Sequence, residues 1–346
     1  MKSCLSFLSI HIYLTIMKIL YFAAALSLTL ATLSCGSGNK AGKGGEAATA
    51  ESTVVVPTFD ADSAYAYIRR QTDFGPRVPN TAAHRACGDF LAAQLERFGA
   101  RVVSQHAQLV AYDGTRLEAR NIIGSYNPES KKRIALFAHW DTRPWADNDP
   151  DAANRRKPVL GANDGGSGVG VLLEVARQLN LRPTTLGIDI IFFDAEDYGA
   201  HQEHTGEHRD DYWCLGSQHW SRTPHIEGYT ARFGILLDIV GGRGSVFHKE
   251  GYSEDYAAGL NKKVWKAAAK LGYGHIFRNE KGTYVTDDHV FVNRLARIPT
   301  IDIIPFNPMG EFTDTWHTVN DDMEHIDPAT LKAVGQTVME VIYNEK

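Results

Sequence analysis

Asp164 in GANDGGSGVG, the adjoining Glu196 and Asp197 in FFDAEDYG, Asp238 in ILLDIVGG and His317 in DTWHTVNDDMEHID are residue types that can hold a metal and move protons beside it. Carboxylate oxygens and an imidazole nitrogen suit zinc, and a catalytic zinc takes three protein ligands and keeps a fourth position for water or substrate. Asp164, Asp197 and His317 fit such a set. Glu196, next to a proposed ligand, could face the open position of the same metal and move protons there. Taken singly, each of these is more simply a helix cap or a loop carboxylate. Their joint placement behind apolar segments is what argues for chemistry.

Those segments are RIALFA (133–138), followed by His139-Trp140-Asp141, and GIDIIFF (187–193), followed by Asp194-Ala195-Glu196-Asp197. RFGILL (232–237) ends at Asp238, and IPTIDII (298–304) runs into the loop with Trp316 and His317. Short continuous runs rich in Ile, Leu and Phe predict strands covered on both faces. Helical spacing predicts helices over 60–71, 81–98, 166–180, 254–271 and 328–343, and the segments 101–110 and 119–124 predict an antiparallel edge hairpin. The alternation predicts an α/β fold, an open, mostly parallel central sheet with helices on both faces. Ligands bind such sheets beyond the carboxyl ends of the strands, so four strands deliver acids or a histidine to one edge.

In this order and spacing, HWDTR, GANDGGSGVGVLLEVAR, FFDAEDYG, ILLDIVGG, the Asp287-Asp288-His289 triplet and DTWHTVNDDMEHID resemble the glutaminyl cyclases, which share the fold of the zinc aminopeptidases. The resemblance covers residues 60–345. It implies one Zn2+ per chain on Asp164, Asp197 and His317, and Glu196 as general acid–base. Asp238 and Asp287 would form a hydrogen-bonded acidic network with Glu196, and Trp316 would shape the pocket. The implied reaction converts the N-terminal glutamine of peptides and proteins to pyroglutamate and releases ammonia. Two departures stand out. Animal enzymes carry Glu-Glu where this chain has Glu196-Asp197, so Asp197 must reach the metal with one methylene less. They also carry a pocket tryptophan after that pair; here the insert 198–212 intervenes, and Trp213 either replaces it or packs in the core. The alternative is a zinc aminopeptidase, with His139 and Asp238 holding a second metal and Glu196 activating water. A metal-free peptide-binding domain would have lost ligands, and none is lost.

The remaining features bound the setting. A net charge of -5, spread along the chain with no basic stripe, excludes nucleic acid as a partner. Lys18, the apolar stretch 19–32 and Leu33-Ser34-Cys35-Gly36 resemble a bacterial lipoprotein signal with Met17 as the expected start and Cys35 as the lipidated residue. Leu33 stands two residues before the cysteine where the usual motif has three, which leaves ordinary signal cleavage as the other reading. The stretch is shorter than the roughly 20 residues a membrane span needs. The expected organisation is a signal segment over 1–35, a flexible tether over 36–56 and a single catalytic domain over 57–346. That organisation implies export to the periplasmic side with contact to the membrane only through the lipid, and a monomer is the expected state, which the sequence does not determine. Cys87 and Cys214 are two core thiols or one disulfide. Asp147, Asp149 and Asp151 start like a calcium loop, but Ala152 and Pro158 occupy its turn-glycine and closing-glutamate positions, so a solvated loop is expected. His201, His204 and His208 read as a surface loop.

Overall fold

The computed structural model describes residues 55–307 and 309–346. The expected signal segment, Cys35 and the tether through residue 54 lie outside the described residues. The strands are β1 (Arg101–Val110), β2 (Arg116–Tyr126), β3 (Arg133–His139), β4 (Gly187–Phe193), β5 (Gly234–Leu237), β6 (Phe247–Lys249), β7 (Phe277–Lys281) and β8 (Thr300–Ile303). The α-helices are α1 (Ala61–Thr72), α2 (Ala82–Arg97), α3 (Ser167–Leu181), α4 (Leu215–Arg222), α5 (Gly251–Lys270), α6 (Asp288–Phe291) and α7 (Pro328–Asn344). Six strands form one sheet in the order β1-β2-β4-β3-β5-β8. β1 and β2 are the antiparallel edge hairpin, β2 pairs antiparallel with β4, and β4, β3, β5 and β8 are parallel.

The four parallel strands are buried on both faces, which is why they read as continuous, mostly apolar runs broken internally only by the buried Asp189 of β4 and Asp302 of β8. On β3, Ile134, Leu136 and Ala138 point into a core with Ile68 of α1, Val171 of α3, Val264 of α5 and Leu331 of α7. Ala135 and Phe137 point the other way, into a smaller core with Trp220 of α4 and Val292. The helix starts carry their own signals: Asp60, Thr81 and Asp327 accept backbone N–H groups at the starts of α1, α2 and α7, with Pro328 opening α7. α4, α6, β6 and β7 carry no pattern that announces them. α4 is too short, at 8 residues, to establish a helical period, and β7 pairs with β6 through a mostly exposed FRNEK.

One charge interrupts β4. Asp189 has no exposed surface and accepts hydrogen bonds from Ser125 Oγ (2.6 Å), Arg133 Nε and Nη2 (both 2.6 Å) and Tyr229 OH (2.7 Å). This network ties β2, β3 and β4 to the segment entering β5. Asp189→Ala strands a buried guanidinium, so a loss of about 3–5 kcal/mol of stability is expected in denaturant unfolding. A loss below about 1 kcal/mol would mean the pair is replaceable by water. Cys87 and Cys214 are both buried and unpaired, so the disulfide alternative does not hold.

Candidate active site

The site is assembled from the segments that leave the parallel strands. His139 ends β3, Glu196 and Asp197 come after β4, Asp238 after β5, and the chain beyond β8 returns with His317. Asp164 precedes α3, and Asp287 caps α6. Buried carboxylates hold these segments by their backbones. Asp141 accepts the N–H groups of Glu196 (3.0 Å) and Asp197 (3.2 Å), and Asp321 accepts those of Asn163 (2.7 Å) and Asp164 (3.0 Å). Gly165 lies at φ +78, where a Cβ would come within 2.2 Å of the Asp141 carbonyl oxygen, so only glycine lets the two loops meet. Ala195, Cys214, Ile239 and His317 also adopt left-handed backbone, with φ between 52 and 58. Such conformations cost energy in side-chain-bearing residues, most of all in β-branched Ile239, and gather where surrounding structure over-determines them.

His317 Nε2 stands 3.4 Å from Asp164 Oδ2 and 3.2 Å from Asp197 Oδ1. Those two oxygens are buried and have no hydrogen-bond partner. Two unsatisfied carboxylate oxygens and an imidazole nitrogen, all within 4.8 Å of one another, are a donor set that a zinc ion fits. Without a cation the cluster is electrostatically costly. Burial drives the Asp197 carboxyl well above its usual range, with Asp164 adding and Arg143 opposing. Burial and the nearby Arg143 charge push His317 down to about 3, so its ring is neutral and has a lone pair to offer.

A second group adjoins the first. His139 Nε2 lies 3.0 Å from both Asp238 Oδ1 and Asp164 Oδ1, and its Nδ1 lies 3.7 Å from Glu196 Oε2. Burial, then Asp197, Asp287 and Asp288 against an opposing His139, hold the Glu196 carboxyl well above its ordinary range. Burial lifts Asp238 to about 7, with His139 opposing and Asp164 and Asp287 adding.

Asp164, Glu196, Asp197, Trp213, Asp238, Asp287, Trp316 and His317 all line a single cavity of about 320 Å³. Trp316 stacks on the His317 ring at 3.8 Å between centroids, and Trp213 lies parallel to that ring at 6.2 Å with the Arg143 guanidinium 4.6 Å from its own centroid. Trp213 is therefore in the cavity wall and outside the apolar cores.

Other neighbours went unrecognised in the sequence. The Cys214 thiol, expected as a core group, donates to Glu196 Oε1 at 3.4 Å. Asp288 and Asp302 are fully buried beside Asp287; a charged residue inside the apolar IPTIDII was a signal for Asp302. The loop expected to be solvated is buried at its first two acids, because Arg143 pairs with Asp147 and backbone N–H groups satisfy Asp149. Asp151 alone is exposed. In the insert, His208 is exposed, but His201 is buried, packed at 5.6 Å against Trp145 where the loop folds back.

A model of "Peptidase family M28" matches residues 121–342. The structure of Bacteroides thetaiotaomicron glutaminyl cyclase bound to N-acetylhistamine is 68% identical and covers 84% of this chain and 100% of that one, with a TM-score of 0.84. A Zn-dependent exopeptidase from Parabacteroides distasonis is 58% identical, covers 84% and 100% of the two chains, and superposes with a TM-score of 0.83. Aminopeptidase YwaD of Bacillus subtilis is 28% identical over 280 residues, 78% of this chain and 54% of that protein. This chain thus spans little more than half the length of that relative. With a match that runs from β2 into α7 and carries the zinc-type donor set, the chain belongs to peptidase family M28.

Proposed function

We propose that the chain is a glutaminyl-peptide cyclotransferase, converting N-terminal glutamine of peptides and proteins to pyroglutamate with release of ammonia. The observation that carries this reading is the one small cavity that holds the Asp164, Asp197, His317 triad and Glu196 together between two tryptophans. Kinship with a glutaminyl cyclase at 68% identity supports it over hydrolysis. Asp164, Asp197 and His317 would hold one zinc per chain, which when bound would supply Lewis-acid stabilisation for an amide oxygen under attack.

The chain's own residues do the rest. Trp213 and Trp316 wall the cavity and clamp the methylenes of the glutamine side chain, which places its α-amine against its own γ-carboxamide. Ring closure forms one C–N bond between amine nitrogen and γ-carbon and breaks the bond to the amide nitrogen. No water is consumed, and the two reacting groups already share a molecule, so positioning replaces a second encounter. The Glu196 carboxylate takes a proton from the α-amine and returns it to the departing nitrogen, which leaves as ammonia. Asp287, within 4.8 Å of Glu196 and Cys214, adds like-charge repulsion to the burial that raises the Glu196 carboxyl, and Asp238 stands across His139 from it. Neither is hydrogen-bonded to Glu196 directly, so the expected acidic network acts through charge rather than through shared hydrogen bonds.

The catalytic domain spans 57–346 in this reading, preceded by a lipoprotein-type signal ending at Cys35 and a tether, and acts as a monomer on the periplasmic side. Among the described residues no helix is long and apolar enough to cross a membrane. The products separate the two enzymes of this fold. Offered one peptide beginning with Gln and one beginning with Leu, the protein is expected to release ammonia from the first with its backbone intact and to leave the second untouched. Free leucine, with no ammonia from the Gln peptide, would instead assign an aminopeptidase that uses His139 and Asp238 at a second metal.

A further inference from the structure

We propose that Asp147 is the carboxylate that orients His317 as a metal ligand, and that the loop 143–149 is the clamp that holds it. This rests on the metal triad of the proposed cyclotransferase site and extends it to residues outside the triad. Asp147 is fully buried at its side chain, and its lone pairs can be accounted for one by one. Arg143 donates Nε to Oδ1 (2.9 Å) and Nη2 to Oδ2 (2.6 Å), and the Gln202 N–H takes the other side of Oδ2 at 3.0 Å. The remaining side of Oδ1 faces His317 Nδ1 at 3.7 Å. A histidine that gives Nε2 to a metal carries its proton on Nδ1, and a carboxylate opposite that proton sets the tautomer and the ring plane.

The backbone is gripped as well. Asn148 N–H donates to the His317 carbonyl oxygen at 3.1 Å, and Asp149 Oδ2 accepts the Val319 N–H at 3.1 Å. Three consecutive residues of one loop thus address the ring, the carbonyl and the following turn of a histidine whose own φ is 55. Arg143 links the clamp to the second ligand segment, donating Nη1 to the Asp197 carbonyl oxygen at 3.0 Å. An arginine–aspartate pair needed only for stability would not have to present its last free acceptor site to the ligand ring.

The test measures zinc affinity of the full chain by competition with a chromophoric chelator. Asp147→Asn keeps the volume and removes the charge; it is expected to weaken zinc by about 10- to 100-fold, the usual effect of losing such an orienting partner. Asp151→Asn, the same change at an exposed position two residues beyond the clamp, is expected to leave affinity unchanged. Melting of the zinc-free proteins separates fold from ligation, and with cobalt(II) in place of zinc the visible bands of Asp147→Asn should shift because the ring is reoriented. Zinc affinity within twofold of wild type in a folded Asp147→Asn protein, with unshifted cobalt bands, overturns the clamp. If Asp147→Asn does not fold, Asp147→Glu keeps the charge beside Arg143 but displaces the carboxylate, and wild-type affinity in that variant overturns it equally. A wild-type chain that binds no zinc would remove the triad, and the clamp with it.

Discussion

Replacing His317 with Ala is expected to leave a folded protein that no longer retains zinc through gel filtration and releases no ammonia from a Gln peptide above background. The reason is the sparseness of the donor set. Three protein side chains converge, and His317 is the one nitrogen among them. Loss of that nitrogen leaves Asp164 Oδ2 and Asp197 Oδ1 as two buried like charges with Arg143 and His139 beside them, and the Asp197 carboxyl, already raised by burial, takes up a proton rather than holding an ion weakly. The wild-type protein stripped with a chelator should regain activity when zinc is returned, and His317→Ala should not. Metal analysis and the ammonia assay on the same samples check this. Zinc and turnover both retained in His317→Ala would exclude His317 from the site.

Glu196→Gln is expected to keep zinc at the wild-type level and to lower turnover by at least about 10²-fold, the lower end of what a positioned proton acceptor contributes. The substitution preserves shape and the contacts around Oε1, including the thiol of Cys214 at 3.4 Å, but the amide cannot take the α-amine proton. The loss should fall on kcat with little change in KM, since the group acts as the proton moves and not in gripping the ground-state substrate. Near-normal turnover in Glu196→Gln would pass the proton to another acid in the cavity, with Asp238 and Asp287 the residues at hand.

Much of this protein was legible in its sequence, for identifiable reasons. The parallel strands announced themselves because burial on both faces disfavours any polar residue that is not fully partnered, so RIALFA, and GIDIIFF with its one satisfied Asp189, could be little else. Helices capped by Asp60, Thr81 and Asp327 were equally marked, whereas α4 and β7 were too short or too exposed to carry a period. The convergence of Glu196, Asp197 and Asp238 could be read because parallel strands end at one edge and residues next to strand ends inherit that address, whereas Asp164, ahead of α3, and His317, well beyond β8, carry no such address.

Sequence by itself determined the α/β sheet, the edge at which the acids collect, and the residue types that make a zinc-type triad with an acid–base partner. Only the tertiary structure decided which of many acids are near one another and what each one faces. Asp147 and Asp149 look like solvated loop residues until Arg143 and the backbone of 317–319 fold against them. Cys214 looks like a core thiol until a left-handed turn points its sulfur at Glu196, and Trp213 becomes cavity wall because the insert before it loops out. The physical reason is common to all three. Strand and helix signals are local and periodic, while the environment of a buried charge is set by groups from four to more than a hundred residues away, whose approach no periodic pattern encodes.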